Sequence, residues 1–132
     1  MTAYVLDSIA VIAYLLKEKQ GLKVKSILEN ARATGDRPCL SMINLGEIYY
    51  IVGRRYGMDK AEEIVAVIDQ LPIEIVEADR DAVLLAAKIK AKYPISYADC
   101  FTVGLGIMRS AKIVTADPDF VRVEKLVQVE WL

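Results

Sequence analysis

Histidine is absent from all 132 residues. That absence excludes every mechanism needing an imidazole base or ligand, including Ser-His-Asp hydrolysis, His-ligated zinc and paired-His ribonuclease chemistry. Proton chemistry is left to carboxylates, Lys, Tyr or water. Cysteine is scarce: Cys39 sits between Pro38 and Leu40, and Cys100 follows Ala98-Asp99 and precedes Phe101. Both read as buried reduced thiols, which points to a cytoplasmic protein. A surplus of one charge is lacking too, with 17 Lys plus Arg against 18 Asp plus Glu. No global field draws in a polyanion, so such a partner has to be held by local basic patches or metal ions. Long hydrophobic runs are also missing. Asp7 and Ser8 interrupt the apolar stretch from Ala3 to Leu16, and the clean run Ile9 to Leu16 falls far short of the roughly 20 residues of a spanning helix. No basic segment precedes it, so neither a membrane segment nor a signal peptide is expected.

What is present, 55% hydrophobic and 27% charged residues, suits a globular fold. With no repeat, low-complexity tract or long linker, a single domain over residues 1–132 is expected. Thr2 to Leu6 reads as a short strand closed by Asp7, and Ile9 to Lys17 as a buried helix. Leu22 to Ala33 is amphipathic and ends at Thr34-Gly35-Asp36. Pro38 to Leu40 reads as a strand; Ser41 caps a helix from Met42 to Tyr56 that stops at Gly57. Asp59 is expected to cap a helix over Lys60 to Gln70, and Pro72 to Val76 forms a third strand. Asp79 opens Arg80 to Lys92, and Ser96 with Asp99 resembles a capping box starting Tyr97 to Arg109. Lys112 to Thr115 is a strand, Asp117 to Asp119 a turn, and Leu126 to Trp131 a last short strand. Strands separated by helices predict an α/β fold of three layers, with a mostly parallel sheet between helices.

Most of the acids sit among polar neighbours, but four stand in apolar settings. Asp7 lies between Val5-Leu6 and Ile9-Ala10, Glu47 in Asn44-Leu45-Gly46-Glu47-Ile48, Asp99 in Tyr97-Ala98-Asp99-Cys100-Phe101, and Asp117 after Val114-Thr115-Ala116. An isolated ionised carboxylate in such a place is costly without compensation. Asp7 and Asp117 close strands, where a doubly wound sheet binds its ligands, and Glu47 and Asp99 face the same crevice if their helices begin there. Converging carboxylates raise one another's pKa, and a divalent cation resolves the conflict. All-oxygen ligation selects a hard ion, Mg²⁺ or Mn²⁺. Carboxylate-held Mg²⁺ meets phosphates, so phosphodiester hydrolysis is the chemistry that fits.

Taken singly, several of these residues also have structural uses. Asp7 fits a helix cap, Asp99 the acid of a capping box and Asp117 a turn former; Asp119 is either a fifth ligand or, the plainer reading, a solvated turn acid. Ser8 and Thr115 could bind a metal-held water, though small hydroxyls near strand ends are commonplace, and Asn44 is either a support for Glu47 or the end of a cap motif. Glu47, flanked by Leu45, Ile48, Ile51 and Val52, has no local structural use. Arg54-Arg55, Lys88, Lys90, Lys92, Arg109 and Lys112 are candidate phosphate contacts, although cations at helix ends also complement the helix dipole.

Val5-Leu6-Asp7-Ser8, Asn-Leu-Gly-Glu-Ile at 44–48, Tyr-Ala-Asp-Cys-Phe at 97–101 and Val-Thr-Ala-Asp-Pro-Asp-Phe at 114–120 together resemble the PIN-domain nucleases, especially the VapC-like toxins of toxin–antitoxin pairs. The resemblance spans Tyr4 to Phe120. It implies a Mg²⁺- or Mn²⁺-dependent endonuclease acting on single-stranded RNA, with Asp7, Glu47, Asp99 and Asp117 as its acidic quartet. It also implies a homodimer silenced by a cognate antitoxin protein. Ile9 departs from the pattern, since relatives generally carry a small polar residue two places after the first acid. A catalytically silent PIN-like module gripping a basic partner peptide shares the motifs. A phosphatase or receiver domain requires an Asp nucleophile or phosphoacceptor with a supporting Lys, and phosphatases carry a second Asp where this chain has Ile9.

Overall fold

The computed structural model describes residues 3–132; Thr2, counted above into the first strand, lies outside the described residues. Five short strands, β1 (Tyr4–Leu6), β2 (Cys39–Ser41), β3 (Glu74–Val76), β4 (Lys112–Thr115) and β5 (Val129–Trp131), form one sheet in the order β3-β2-β1-β4-β5. Every pairing is parallel, with Val5 opposite Cys39 and Ile113, and Ile113 opposite Val129. Parallel neighbours need crossovers, supplied by α1 (Ser8–Leu15), α2 (Gly21–Thr34), α3 (Met42–Tyr56), α4 (Met58–Gln70), α5 (Arg80–Lys92) and α6 (Tyr97–Arg109) and, between β4 and β5, by a 3-10 helix.

The period-2 alternation of strand side chains divides the interior into two cores. Val5, Cys39 and Ile113 face α5 and α6, where they meet Ala86, Ile89, Cys100, Phe101 and Val103. Their neighbours Leu6, Leu40 and Val114 face the other way, onto Ala10, Val11, Val24, Leu28, Ile48, Val52, Ala61, Ile64 and Ile68 of α1 to α4. The three-layer α/β/α arrangement expected from the sequence is what this packing produces. Cys39 and Cys100 are both buried and free. Among the described residues no helix is long and apolar enough to cross a membrane.

The caps of three helices form as the sequence predicts. Ser41 Oγ accepts from the Ile43 N–H (3.2 Å), Asp79 Oδ1 from the Ala82 N–H (2.9 Å), and Ser96 Oγ from the Asp99 N–H (3.1 Å). Asp59 does not cap α4. That helix starts two residues earlier than expected, at Met58, because Gly57 adopts φ +91°, a conformation open to glycine, and turns the chain directly from α3 into α4. The expected turn at Asp117 is the start of a 3-10 helix over Pro118–Val123. Only Val129–Trp131 of the final apolar stretch pairs with the sheet.

Candidate metal centre

Because all strands are parallel, their carboxyl ends lie along one edge, and α1, α3 and α6 all begin there. Asp7 follows β1 and is only 2% exposed. It is both cap and site residue: Oδ1 accepts from the Ala10 N–H (2.7 Å), and Oδ2 is hydrogen-bonded to the Thr115 hydroxyl. Thr115 in turn accepts from the Asp117 N–H (3.0 Å), so the ends of β1 and β4 are tied together through one hydroxyl.

Asp117 Oδ1 accepts from the Asp119 N–H (2.9 Å), capping the 3-10 helix. Only half of the expected capping box forms at α6: Ser96 bonds the Asp99 backbone, while the Asp99 carboxylate joins Asp117 and Asp119. Oxygens of these three carboxylates lie within 4.8 Å of one another. Asp99 and Asp117 are half-buried and Asp119 is exposed. Asp119, which by its sequence context is a solvated turn acid, therefore stands in the tightest acidic group, brought there by the 3-10 turn.

Electrostatics links the remaining acids to that group. Burial pushes the Asp7 carboxyl up to about 7, against the lowering effect of its Thr115 and Ala10 hydrogen bonds, and the charges of Asp99 and Asp117 add to the rise. Burial also raises Asp99 to about 6, helped by Asp117, Glu47 and Asp119. Asp7 thus feels the charges of Asp99 and Asp117, and Asp99 those of Asp117 and Glu47.

Glu47 is held differently. Its Oε1 accepts from the Ser8 hydroxyl and from Asn44 Nδ2 (3.3 Å). Asn44, with 0% exposure, also donates to Ser8 Oγ (3.3 Å) and to the Ala98 carbonyl (3.5 Å), and its Oδ1 accepts from Thr102 Oγ1 (2.9 Å). Thr102, fully buried, was not visible in the sequence as a site residue; its only signal is its place one turn after Asp99 on the same helix. Ile9 points away, 44% exposed, into an open groove with Ile12, Ile51, Arg54 and Arg55. It leaves both Asp7 oxygens to Ala10 and Thr115.

The basic candidates fare unevenly. Arg109 makes a two-pronged pair with Glu74 (3.1 and 2.8 Å), and Lys112 begins β4, so both lie at the amino edge of the sheet, opposite the acids. Lys90 Nζ donates to the Ile95 carbonyl (2.7 Å), and the Arg54 guanidinium stacks over Tyr50 at 5.1 Å.

The donors gathered at the carboxyl edge are all oxygens, three of them already within mutual reach, and the pKa values of Asp7 and Asp99 are raised by burial first and by the neighbouring acids second. Such a set fits Mg²⁺ or Mn²⁺ and gives a thiophilic ion nothing to prefer.

No curated protein sequence matches the chain significantly. Solved structures are similar to it in fold. A chain of the DNA-bound VapBC complex from Salmonella typhimurium aligns over 98% of both chains at a TM-score of 0.75 and 20% identity. A chain of VapBC2 from Rickettsia felis, bound to a fragment of promoter DNA, aligns over 99% of this chain and 100% of its own at 0.74 and 17%. Mycobacterium tuberculosis VapC20, described as a sarcin-ricin loop cleaving toxin, aligns over 97% and 98% at 0.72 and 16%. The sequence profile of the PIN domain matches residues 4–126, nearly the whole length described above. With motif order, topology and profile in agreement, the chain belongs to the PIN domain family.

Proposed function

We propose that this protein is a Mg²⁺- or Mn²⁺-dependent endoribonuclease that hydrolyses phosphodiester bonds of single-stranded RNA, acting as the toxin of a toxin–antitoxin pair. The observation that carries it is the meeting of Asp7, Asp99 and Asp117 at one sheet edge, where burial first and neighbouring acids second raise the pKa values of Asp7 and Asp99. Asp7, Glu47, Asp99 and Asp117 would hold the cation, with Asp119 within reach of the same group. When bound, the ion supplies Lewis-acid charge that activates water and offsets the charge on the leaving oxygen.

The chain's own residues do the positioning. Asp7 is fixed through Ala10 and Thr115, and Asp117 through the same threonine. Ser8 and Asn44 engage a single oxygen of Glu47. Exposed Arg54 and Arg55 are free of carboxylate partners among the described ion pairs and suit phosphate contacts. The antitoxin partner is supported by the VapBC complexes among the structural neighbours, and a homodimer and a cytoplasmic location accompany this assignment.

Purified protein, free of any antitoxin, is to be incubated with mixed single-stranded RNA and Mn²⁺ or Mg²⁺, then with EDTA, alongside Asp7→Asn. Metal-dependent cutting that the variant loses is the expected result. Cation binding with no cutting of any RNA would replace the nuclease with a module whose acidic crevice grips a basic peptide.

A further inference from the structure

Glu47 is half-buried on α3, and one of its oxygens is held by groups reached through the protein interior. The geometry points to Thr102 as the residue that sets this orientation, acting through Asn44; the proposal rests on the assignment of Glu47 to the cation site. The hydrogen-bond chemistry of Asn44 has a single solution. Its Nδ2 side faces the Ala98 carbonyl at 3.5 Å and the Glu47 carboxylate at 3.3 Å, and neither an amide carbonyl nor an ionised carboxylate donates. The amino group must occupy that side, so Oδ1 must face Thr102, whose hydroxyl donates to it at 2.9 Å.

Two helices present matched pairs for this. Asn44 and Glu47 are three residues apart on α3, and Asp99 and Thr102 three apart on α6, so each helix offers both members of its pair on one face. Thr102 and Asn44 are both fully buried, and every polar side-chain atom buried among the described residues finds a partner. A flipped or rotated Asn44 has nowhere to place its amide without losing contacts to Thr102, Ser8, Ala98 and Glu47 together. Thr102 therefore locks Asn44. Asn44 and Ser8 hold Glu47 Oε1, and Oε2 is left as the oxygen available to a ligand. Thr102 touches neither cation nor substrate and is a positioning residue. Groups that orient metal-binding side chains from behind characteristically change metal affinity about 10–100-fold when removed.

The test compares Thr102→Val, which keeps the shape and removes the hydroxyl, with Thr102→Ser, which keeps the hydroxyl. In the cation-free protein, the Asn44 side-chain NH₂ protons should exchange slowly with solvent by NMR in wild type and Thr102→Ser, and quickly in Thr102→Val. Mn²⁺ affinity, measured by calorimetry, should fall about tenfold in Thr102→Val, stay near wild type in Thr102→Ser, and show no added loss when Thr102→Val is placed in Asn44→Ala. Unchanged Asn44 protection and unchanged Mn²⁺ affinity in Thr102→Val would overturn the proposal, as would a loss of affinity that Thr102→Ser shares equally. Should Thr102→Val not fold, rapid exchange of the Asn44 amide in wild type would overturn it, and slow exchange with intact affinity in Thr102→Ser would support it. If wild type binds no Mn²⁺, the metal assignment fails, whereas the NMR comparison still decides whether Thr102 locks Asn44.

Discussion

The Thr115 hydroxyl is hydrogen-bonded to Asp7 Oδ2 across 108 residues of sequence, and Thr115 Oγ1 in turn accepts the Asp117 N–H at 3.0 Å. One small side chain on β4 thereby orients a buried carboxylate on β1 and the turn that carries a second acid. Thr115→Val keeps the packing and removes both bonds. Leaving the Asp7 oxygen and the Asp117 N–H unpaired should destabilise the fold by about 1–3 kcal/mol in denaturant titration. The Asp7 titration, followed by carboxyl NMR, should move further above its already raised value, because the Thr115 bond is the strongest of the influences lowering it.

Burial of Asp7 also makes stability depend on pH. Its native pKa, about 7, lies above the ordinary 3.8, so between those values the native state keeps a proton that the unfolded chain has released. Its contribution therefore falls as pH rises through that window and is flat above it. Asp99, raised to about 6, acts with the same sign over a narrower range. Asp7→Asn, which can still accept the Ala10 N–H as a cap, should be more stable than wild type near pH 8 by up to about 4 kcal/mol, with the gap closing toward pH 4. Thermal unfolding without metal across pH reads this. RNA cleavage by the variant should be lost throughout, and Mn²⁺ should bind wild type more tightly as pH rises through about 6–7, where the two carboxyls ionise.

Arg109 and Glu74 join the end of α6 to the first residue of β3, at the edge of the sheet away from the acids. Both side chains are more than a third exposed, 40% and 36%, so solvent screens the pair despite its two-pronged geometry. Arg109→Gln should lower stability by about 1 kcal/mol or less in chemical denaturation, and leave RNA cleavage at wild-type rates. A large loss of cleavage with unchanged stability would return Arg109 to the substrate contacts.

Gly21 marks a close approach of backbones where α2 starts against α1. A Cβ there would lie 2.5 Å from the Ala13 carbonyl oxygen and 2.7 Å from Tyr14 Cα, both backbone atoms unable to rotate aside. Gly21→Ala should therefore destabilise the protein by about 1–3 kcal/mol, read from the midpoint of urea unfolding, although alanine is the better helix former.

Local physics was legible in the chain itself. Ser41, Asp79 and Ser96 announce helices because a cap satisfies N–H groups only two or three residues away, and α3, α5 and α6 begin and end at the predicted residues. The alternation of strands with helices likewise pointed to a parallel sheet with helices on both sides. The acids at 7, 47, 99 and 117 stood out because ionised groups seldom sit among apolar neighbours, a property of neighbouring residues alone. The tertiary structure decided what contacts distant in sequence decide. Strand order was not legible, since a parallel crossover leaves no mark in adjacent residues. Asp59 looked like a cap until Gly57, at φ +91°, started α4 before it. Asp119 is exposed, as its turn context implies, but that the 3-10 turn also brings it within reach of Asp99 was not legible. Thr102 carries no chemistry of its own and acquires a role only because α6 packs its buried hydroxyl against Asn44, 58 residues away. Caps and periodicity act over one or two helical turns and so are written in sequence, whereas the convergence of carboxylates and the direction of a buried hydroxyl exist only once the helices and sheet have packed.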